Sequence, residues 1–326
     1  MKNKGKQVNL SSFLRNWAAV IALIISFVFF SVTCPTFLTK NNMETILRGA
    51  SIYTVLALAL TITYACGGFD LGAGSTASVS AYLVMSFVLW YDMNFWAASA
   101  LTIVLTLLLQ CISMFLILKC KVPDLLATLA TQFMMQGLGL TYTGGGSVTA
   151  GMPTPSGAEA TGKVPQLLKA IGRSPTIIYI MLFFVLLTHL FLNYTKYGRY
   201  IYTVGGNKTA AKLSGIPVKR YRFVAGMISA FFIALSAIMV CGRNQSAQIN
   251  GCDGYTAYAM AAVYIGRTVA GVEKPNAAGT LIGAILTSVL DNGLVMIGVP
   301  YYSLPAVKGI VLAVALIAAY ATSKEE

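Results

Sequence analysis

The sequence predicts an all-α integral membrane protein in which about ten helices cross the bilayer. Apolar residues make up 57% of the 326 residues and charged residues only 10%, against roughly 45–50% and about 25% in soluble globular proteins. The charges are also unevenly spread, and long stretches carry none. Lys and Arg outnumber Asp and Glu by 23 to 10, and in a membrane protein such an excess indicates basic cytoplasmic loops and not a nucleic-acid partner.

The individual helices follow from the apolar runs, since a bilayer-crossing helix needs about 20 mostly apolar residues. The first run follows Lys2, Lys4 and Lys6 and lacks a small-residue cleavage site, which favours a retained anchor over a signal peptide. The third and eighth runs are short, and we expect them to be tilted, re-entrant or broken. Together the sequence offers ten segments, at residues 14–32, 46–65, 75–90, 95–118, 123–143, 175–194, 222–242, 255–270, 277–298 and 303–321.

The distribution of basic residues orients these segments. If the N-terminus is cytoplasmic, most Lys and Arg fall in inside loops, as the positive-inside rule requires. An inverted topology would place them outside. We therefore expect both termini to be cytoplasmic, and the loop at about 195–222 to be the main basic segment on that side.

A short helix is predicted within this cytoplasmic loop. Asn207 is a typical N-cap residue, and Gly215 followed by Pro217 is a typical stop signal. Two interpretations remain open for a capped helix in this position. It is either a docking element for a partner or an amphipathic helix that lies on anionic lipid.

The first irregular stretch, at residues 67–75, lies between the second and third segments. It combines several glycines with an acidic residue and cannot form a lipid-facing helix, so it must pack inside protein or face water. One interpretation is a tight turn in which Asp70 caps the next helix. The other is direct contact with a transported solute, with Gly67, Gly68, Asp70 and Ser75 as candidates.

A second candidate is the polar pair Asp291 and Asn292 inside the ninth segment. An ionisable group there is costly and should face the bundle interior or a water-filled cavity. Asp291 could bind substrate hydroxyls, pair with Lys308 of the last segment, or lie close enough to a helix end to be solvated. The sequence does not separate these three possibilities.

The sequence contains no constellation for covalent chemistry. It has no phosphate-binding loop of the G-x-x-x-x-G-K-[ST] type, no H-E-x-x-H metal motif and no nucleophile elbow. The lone histidine, His189, has no cysteine near it, and we expect neither a metal site nor a bound cofactor. We therefore predict a protein that is not an enzyme and does not hydrolyse ATP itself, so a partner subunit or an ion gradient must supply energy.

Three motifs resemble one known family, the permease subunits of bacterial ABC importers for monosaccharides of the ribose and galactose type. Residues 67–75 are similar to its G-G-[IF]-D-L-S-x-G-S motif, and residues 122–131 to the segment that enters its fifth span. Residues 202–216 are similar to its coupling-helix loop, Y-A-x-G-G-N-x-x-A-A-x-x-S-G-I. The last match is long and specific, and the similarity covers nearly the whole chain.

The resemblance implies a single permease domain over residues 1–326 in a bacterial inner membrane. It also implies a second permease copy, identical or not, two cytoplasmic ATPase domains that bind ATP, and an extracytoplasmic sugar-binding protein. In the coupling loop, Ala210 and Ala211 leave room for a partner groove. The residues expected at the ATPase interface are Gly205, Gly206, Asn207, Lys208, Ala210, Ala211, Leu213, Ser214 and Gly215.

Two departures from the family pattern leave the solute open. Gly72 replaces a serine of the first motif, and residues 266–275 carry Arg267, Glu273 and Lys274 where the family has a second glycine pair. The expected solute is a ribose-like pentose or a hexose, with a nucleoside or an autoinducer sugar as alternatives. An ion-coupled secondary transporter is the alternative mechanism, and a receptor or scaffold without transport is the third class.

Overall fold

The computed structural model describes residues 10–267, 269, 274–300, 302–303, 306–307 and 309–310. Most of the tenth predicted segment, at 303–321, lies outside these residues, as do Lys308 and both chain termini. The described residues form helices α1 (Leu10–Thr33), α2 (Lys40–Ala65), α3 (Ala73–Leu89), α4 (Phe95–Leu118), α5 (Asp124–Thr143), α6 (Gln166–Ile171), α7 (Thr176–Tyr194), α8 (Lys196–Gly206), α9 (Lys208–Leu213), α10 (Val218–Asn244), α11 (Tyr255–Gly266) and α12 (Ala277–Met296).

Every predicted segment up to residues 277–298 coincides with one of these helices. By length and apolar composition, five helices of the described chain are able to cross a membrane, namely α2, α4, α7, α10 and α12. Residues 19–33 of α1 and the whole of α3 form shorter apolar helices. The protein is therefore a helical membrane protein. Helices α5 and α11 are present as expected, but they are less apolar or shorter than these five helices.

Helix α2 forms the centre of the bundle. It is almost fully buried from Gly49 onward and packs against α10, α11, α12 and α7. By contrast, α4 and α7 expose large apolar side chains such as Leu108 and Phe183 along their outer faces. A helix that is apolar all round belongs inside a bundle, whereas a helix with an exposed apolar face is suited to lipid.

Helices α11 and α12 approach each other closely through small residues. A side chain on Gly266 would collide with the backbone of Gly279, and one on Gly283 would collide with the backbone of Ala262. The two pairs are spaced four residues apart on each helix, which is the small-xxx-small pattern of tightly packed membrane helices. This packing fixes the C-terminal half of α11 against the N-terminal part of α12.

Over the residues that the structure describes, the eighth predicted segment contains one short helix. Helix α11 has 12 residues and so extends about 18 Å at 1.5 Å per residue, well short of the roughly 30 Å hydrocarbon core. The backbone that precedes it, at residues 245–254, is irregular. It begins with a two-residue strand, β2 (Ser246–Ala247), paired antiparallel with β1 (Val148–Thr149).

Candidate translocation and coupling sites

The first irregular stretch forms a compact turn between α2 and α3. Gly67 adopts a φ of 66°, a left-handed conformation that favours glycine. Asp70 is only 3% exposed. It accepts hydrogen bonds from the Gly72 backbone N–H at 2.9 Å and from Gln110 Nε2 at 3.3 Å. The N-cap position of α3 is Gly72, so the expectation that Asp70 caps this helix is wrong, and Asp70 instead closes the turn.

This turn is held by two hydroxyl groups from other helices. The Leu71 backbone N–H donates to Thr128 Oγ1 of α5 at 3.2 Å, and the Gly74 N–H donates to Thr256 Oγ1 of α11 at 2.8 Å. Ser75, a path candidate, is buried in the same junction. The junction therefore lies inside the protein, as required for irregular backbone at membrane depth.

A polar cluster that sequence reasoning missed lies next to this junction. Asp253 is half-buried and accepts hydrogen bonds from Ser78 Oγ on α3 and from Gln136 Nε2 on α5, each at 2.7 Å. Ser78 Oγ in turn accepts the Cys252 backbone N–H at 3.1 Å. The hydrogen bonds attach residues 245–254 to α3 and α5. We call Ser78, Gln136 and Asp253 the Asp253 cluster.

The sequence contains a signal for this cluster. Residues 250–254 place an acid between two glycines immediately before a short apolar segment, which is the pattern also seen at residues 67–75. Sequence analysis left them between the segments at 222–242 and 255–270 without a role, because neither bonding partner is near Asp253 along the chain.

Gly74 provides a test of this packing. A Cβ atom there would collide with Thr256 Oγ1 and lie 2.6 Å from the Cys252 carbonyl oxygen. We expect Gly74→Ala to lower the free energy of unfolding by about 1–3 kcal/mol, the usual cost of overpacking, although alanine is the better helix former. Thermal unfolding of the purified chain in detergent measures the change.

Gly254→Ala is the matched control for that variant. Gly254 precedes α11 with an ordinary φ of −63°, and nothing lies within 4 Å of its Cβ position. We expect its unfolding temperature to equal that of the unmodified protein. Equal stability of Gly74→Ala and Gly254→Ala would contradict the close contact between α3 and residues 252–256.

Asp291 and Asn292 form a separate polar contact between α12 and α2. Tyr53 OH donates to Asp291 Oδ2 at 3.2 Å, and Asn292 Nδ2 donates to Asn42 Oδ1 at 2.9 Å. Asn42 lies in the first turn of α2, so this contact is near one end of the bundle. The Tyr53 ring also packs edge-on against Tyr255 of α11, with ring centroids 5.1 Å apart. The proposed pairing with Lys308 lies outside the described residues.

The predicted helix in the cytoplasmic loop is present as α9. The Asn207 side chain accepts hydrogen bonds from the Thr209 and Ala210 N–H groups at 3.0 and 2.9 Å. Gly215 adopts a φ of 77°, and the Ile216 N–H donates to the Ala211 carbonyl at 3.0 Å. This is a glycine-terminated helix end, which confirms both Asn207 as N-cap and Gly215 as the stop.

The candidate coupling residues divide by exposure. Leu213 is 85% exposed, and Gly206, Asn207, Lys208, Ala210, Ser214 and Gly215 are also exposed. Ala211 is fully buried in the core of the chain itself. The expectation that Ala211 faces a partner groove is therefore wrong, because its side chain points into the protein.

Gly205 joins the coupling loop to the turn at residues 67–72. A side chain on Gly205 would collide with the Ala65 carbonyl, and one on Gly67 would reach Gly205. The end of α8 thus packs directly on the end of α2. On the same side of the bundle, the salt bridge between Arg222 and Asp124 ties the start of α10 to the start of α5.

Comparisons with known proteins agree with the motif resemblance. The chain is 30% identical over 316 residues to the ribose import permease protein RbsC of Escherichia coli strain K12, covering 96% of each chain. It is 31% identical over 325 residues to RbsC of Bacillus subtilis strain 168, covering 97% of this chain and 96% of that one. The L-arabinose transport system permease protein AraH of Escherichia coli is 24% identical over 318 residues, covering 94% and 92%.

Among solved structures, a transporter described as of the metal-chelate ABC type, in an inward-facing conformation, overlays with a TM-score of 0.48. It is 12% identical, and the overlay covers 93% of this chain and 97% of that one. The family model described as "Branched-chain amino acid transport system / permease component" matches residues 42–320. The family model and the two ribose permeases confirm the resemblance, and the chain belongs to this family of multi-pass inner-membrane permease components of ABC importers.

Proposed function

We propose that this chain is the membrane-spanning subunit of an ATP-driven ABC importer that carries a ribose-like pentose or a hexose into the cytoplasm. The names of its relatives, which are import permeases for ribose and L-arabinose, support a monosaccharide. A neutral sugar presents hydroxyl groups and an apolar ring face. The Asp253 cluster offers hydrogen-bond acceptors and donors for the hydroxyl groups. Neighbouring tyrosines such as Tyr255 offer aromatic surfaces for the ring face.

The observation that carries this proposal is the half-buried Asp253 carboxylate, which accepts hydrogen bonds from α3 and α5. Its partner Gln136 lies about 18 Å along α5 from Asp124, at 1.5 Å per residue, and therefore well inside the bilayer. A partly exposed carboxylate at that depth must face water or protein, since contact with lipid is too costly. We infer that it borders the translocation path.

The exposed face of α5 supports a second permease copy, identical or not, that packs against this helix. Gln132 and Gln136 make α5 a poor helix for lipid contact. Beside them, Phe133 and Leu138 are exposed, and nothing lies within 4 Å of the Gly137 Cβ position. A second copy that covers this face would keep Asp253 away from lipid and enclose the path between the two subunits.

The ATPase domains are proposed to dock on α9, and the extracytoplasmic sugar-binding protein on the opposite side. Exposed Leu213 supports the first assignment, because an apolar side chain on a short capped helix is suited to a partner groove. ATP is bound by these partners and not by this chain. Gly205 would pass movement of the loop to α2 and the adjacent turn.

We further propose a single domain of about ten spans with both termini cytoplasmic. Labelling of single cysteines in a cysteine-free background tests the orientation. Thr161 and Thr209 are both exposed, and we expect Thr161→Cys to react with an impermeant maleimide from outside in intact cells. Thr209→Cys should react only after the membrane is opened. Reaction of both from the same side would contradict the model.

Substrate competition tests the class of solute. The permease is reconstituted in liposomes with its ATPase and binding protein, with ATP supplied on the ATPase side. We expect uptake of labelled ribose to be inhibited by at least one unlabelled pentose or hexose and not by leucine. Competition by leucine without competition by any monosaccharide would contradict the sugar assignment, and competition by a nucleoside would favour that alternative.

A secondary transporter coupled to an ion gradient is the second candidate. The structure supports a secondary transporter more strongly than the sequence does, because it adds Asp253 to Asp70 and Asp291 as an acid within the bundle. Acids inside the membrane are typical of ion-coupled transport. Asp70 is closed into its turn, and Asp291 is near a bundle end. Asp253 is therefore the residue on which the distinction depends.

A further inference from the structure

An apolar groove lies between α7 and α10, away from the Asp253 cluster. Its volume is about 460 Å³. Helix α7 contributes most of the lining, with single contributions from α2 and the start of α8. The lining residues are Ile62, Leu187, Thr188, Leu190, Phe191, Thr195, Ile228 and Phe232.

The groove presents almost only hydrocarbon and opens toward the lipid. Leu187 and Leu190 at its edge are each 46% exposed. Thr195 uses its hydroxyl within the chain, donating to the Phe191 carbonyl and accepting from the Gly198 N–H. An empty apolar space beside the bilayer would forfeit dispersion contacts along its walls. A lipid chain is the occupant that the bilayer supplies.

The end of the groove is marked by a basic and aromatic surface on α8, which we call the α8 surface. Lys196 follows Thr195 directly, and Arg199 lies one turn further along; both are exposed. Tyr197 and Tyr200 of α8 are 50% and 40% exposed, and Tyr194, the last residue of α7, is 72% exposed. Exposed tyrosines with Lys and Arg are typical of a helix at the membrane–water interface.

We propose that this groove holds one acyl chain of an anionic phospholipid, whose phosphate contacts Lys196 and Arg199. The acyl chain gains little over bulk bilayer, so selectivity must come from the headgroup. Basic residues at a membrane surface select anionic lipid electrostatically. Because α8 leads directly through Asn207 into α9, a lipid bound there would hold the base of the coupling helix.

Native mass spectrometry of the full-length permease in detergent tests this site. The protein is supplied with phosphatidylglycerol or with phosphatidylcholine of the same acyl chains. We expect preferential retention of phosphatidylglycerol. The double variant Lys196→Ala with Arg199→Ala should bind it about 30-fold more weakly, since each basic residue contributes about 1 kcal/mol and about 1.4 kcal/mol is tenfold.

Two controls separate this site from general lipid contact. Lys163→Ala with Lys169→Ala removes two basic residues elsewhere and should leave retention unchanged. Leu190→Trp should fill the groove and reduce phosphatidylglycerol retention, whereas Leu186→Trp, exposed on the same helix but outside the groove, should not. Equal retention of the two lipids by the unmodified protein would overturn the proposal. So would equal retention of phosphatidylglycerol by the two double alanine variants, or by Leu190→Trp and Leu186→Trp.

Discussion

Leu213→Asp is expected to uncouple ATP hydrolysis from uptake while leaving the permease folded and inserted. Leu213 is 85% exposed at the end of α9, so the substitution removes no internal contact. Burying a leucine side chain in a partner groove is worth about 1.5–3 kcal/mol, which corresponds to a loss of roughly 10- to 100-fold in docking affinity. Uptake and ATPase activity of the reconstituted importer measure the effect.

Leu38→Asp is the matched control for this variant. Leu38 is also an exposed leucine, in the turn between α1 and α2, and it lies far from α9 along the chain. We expect its ATPase coupling to be unchanged. Wild-type uptake by Leu213→Asp would show that α9 is not the docking element. Ala211→Trp cannot serve this purpose, because Ala211 is buried and a large side chain there would disrupt the core.

The features predicted correctly from the sequence are those fixed by neighbouring residues. Hydropathy located the helices because most of the apolar runs are close to the length that a bilayer requires. The Asn207 cap and the Gly215 stop were predictable because both act on backbone groups within three or four residues. The turn predicted at residues 67–75 is likewise present, and Gly67 in it adopts the left-handed conformation that favours glycine.

The features missed from the sequence depend on contacts between distant segments. Asp253 is 175 residues from Ser78 and 117 from Gln136, and the local pattern of glycines and an acid at residues 250–254 does not identify these partners. The burial of Ala211 depends on how α9 folds back on the chain. Asp70 was recognised as a turn residue, but its exact partner, Gln110, comes from another helix.

Asp253→Leu is expected to reduce uptake by about tenfold or more. Leucine accepts no hydrogen bond, so Ser78 and Gln136 would lose their shared acceptor, and each hydrogen bond to a charged group is worth about 1.5–3 kcal/mol. Residues 245–254 would be released from α3 and α5, and the wall of the proposed path would be altered. Uptake of labelled sugar, compared at equal amounts of inserted protein, measures the loss.

Asp253→Asn distinguishes the two mechanisms, because it removes the charge and keeps the shape. Its amide oxygen can accept from Gln136 while its NH2 group donates to Ser78 Oγ. In an ATP-driven importer we expect this variant, like Asp291→Asn, to retain most uptake, and uptake should resist a protonophore at constant ATP. If Asp253→Asn abolishes uptake and the protonophore does the same to the unmodified protein, the carboxylate carries a proton. Because a neutral sugar needs only hydrogen bonds whereas ion coupling needs the charge itself, that result would assign the chain to ion-coupled transport.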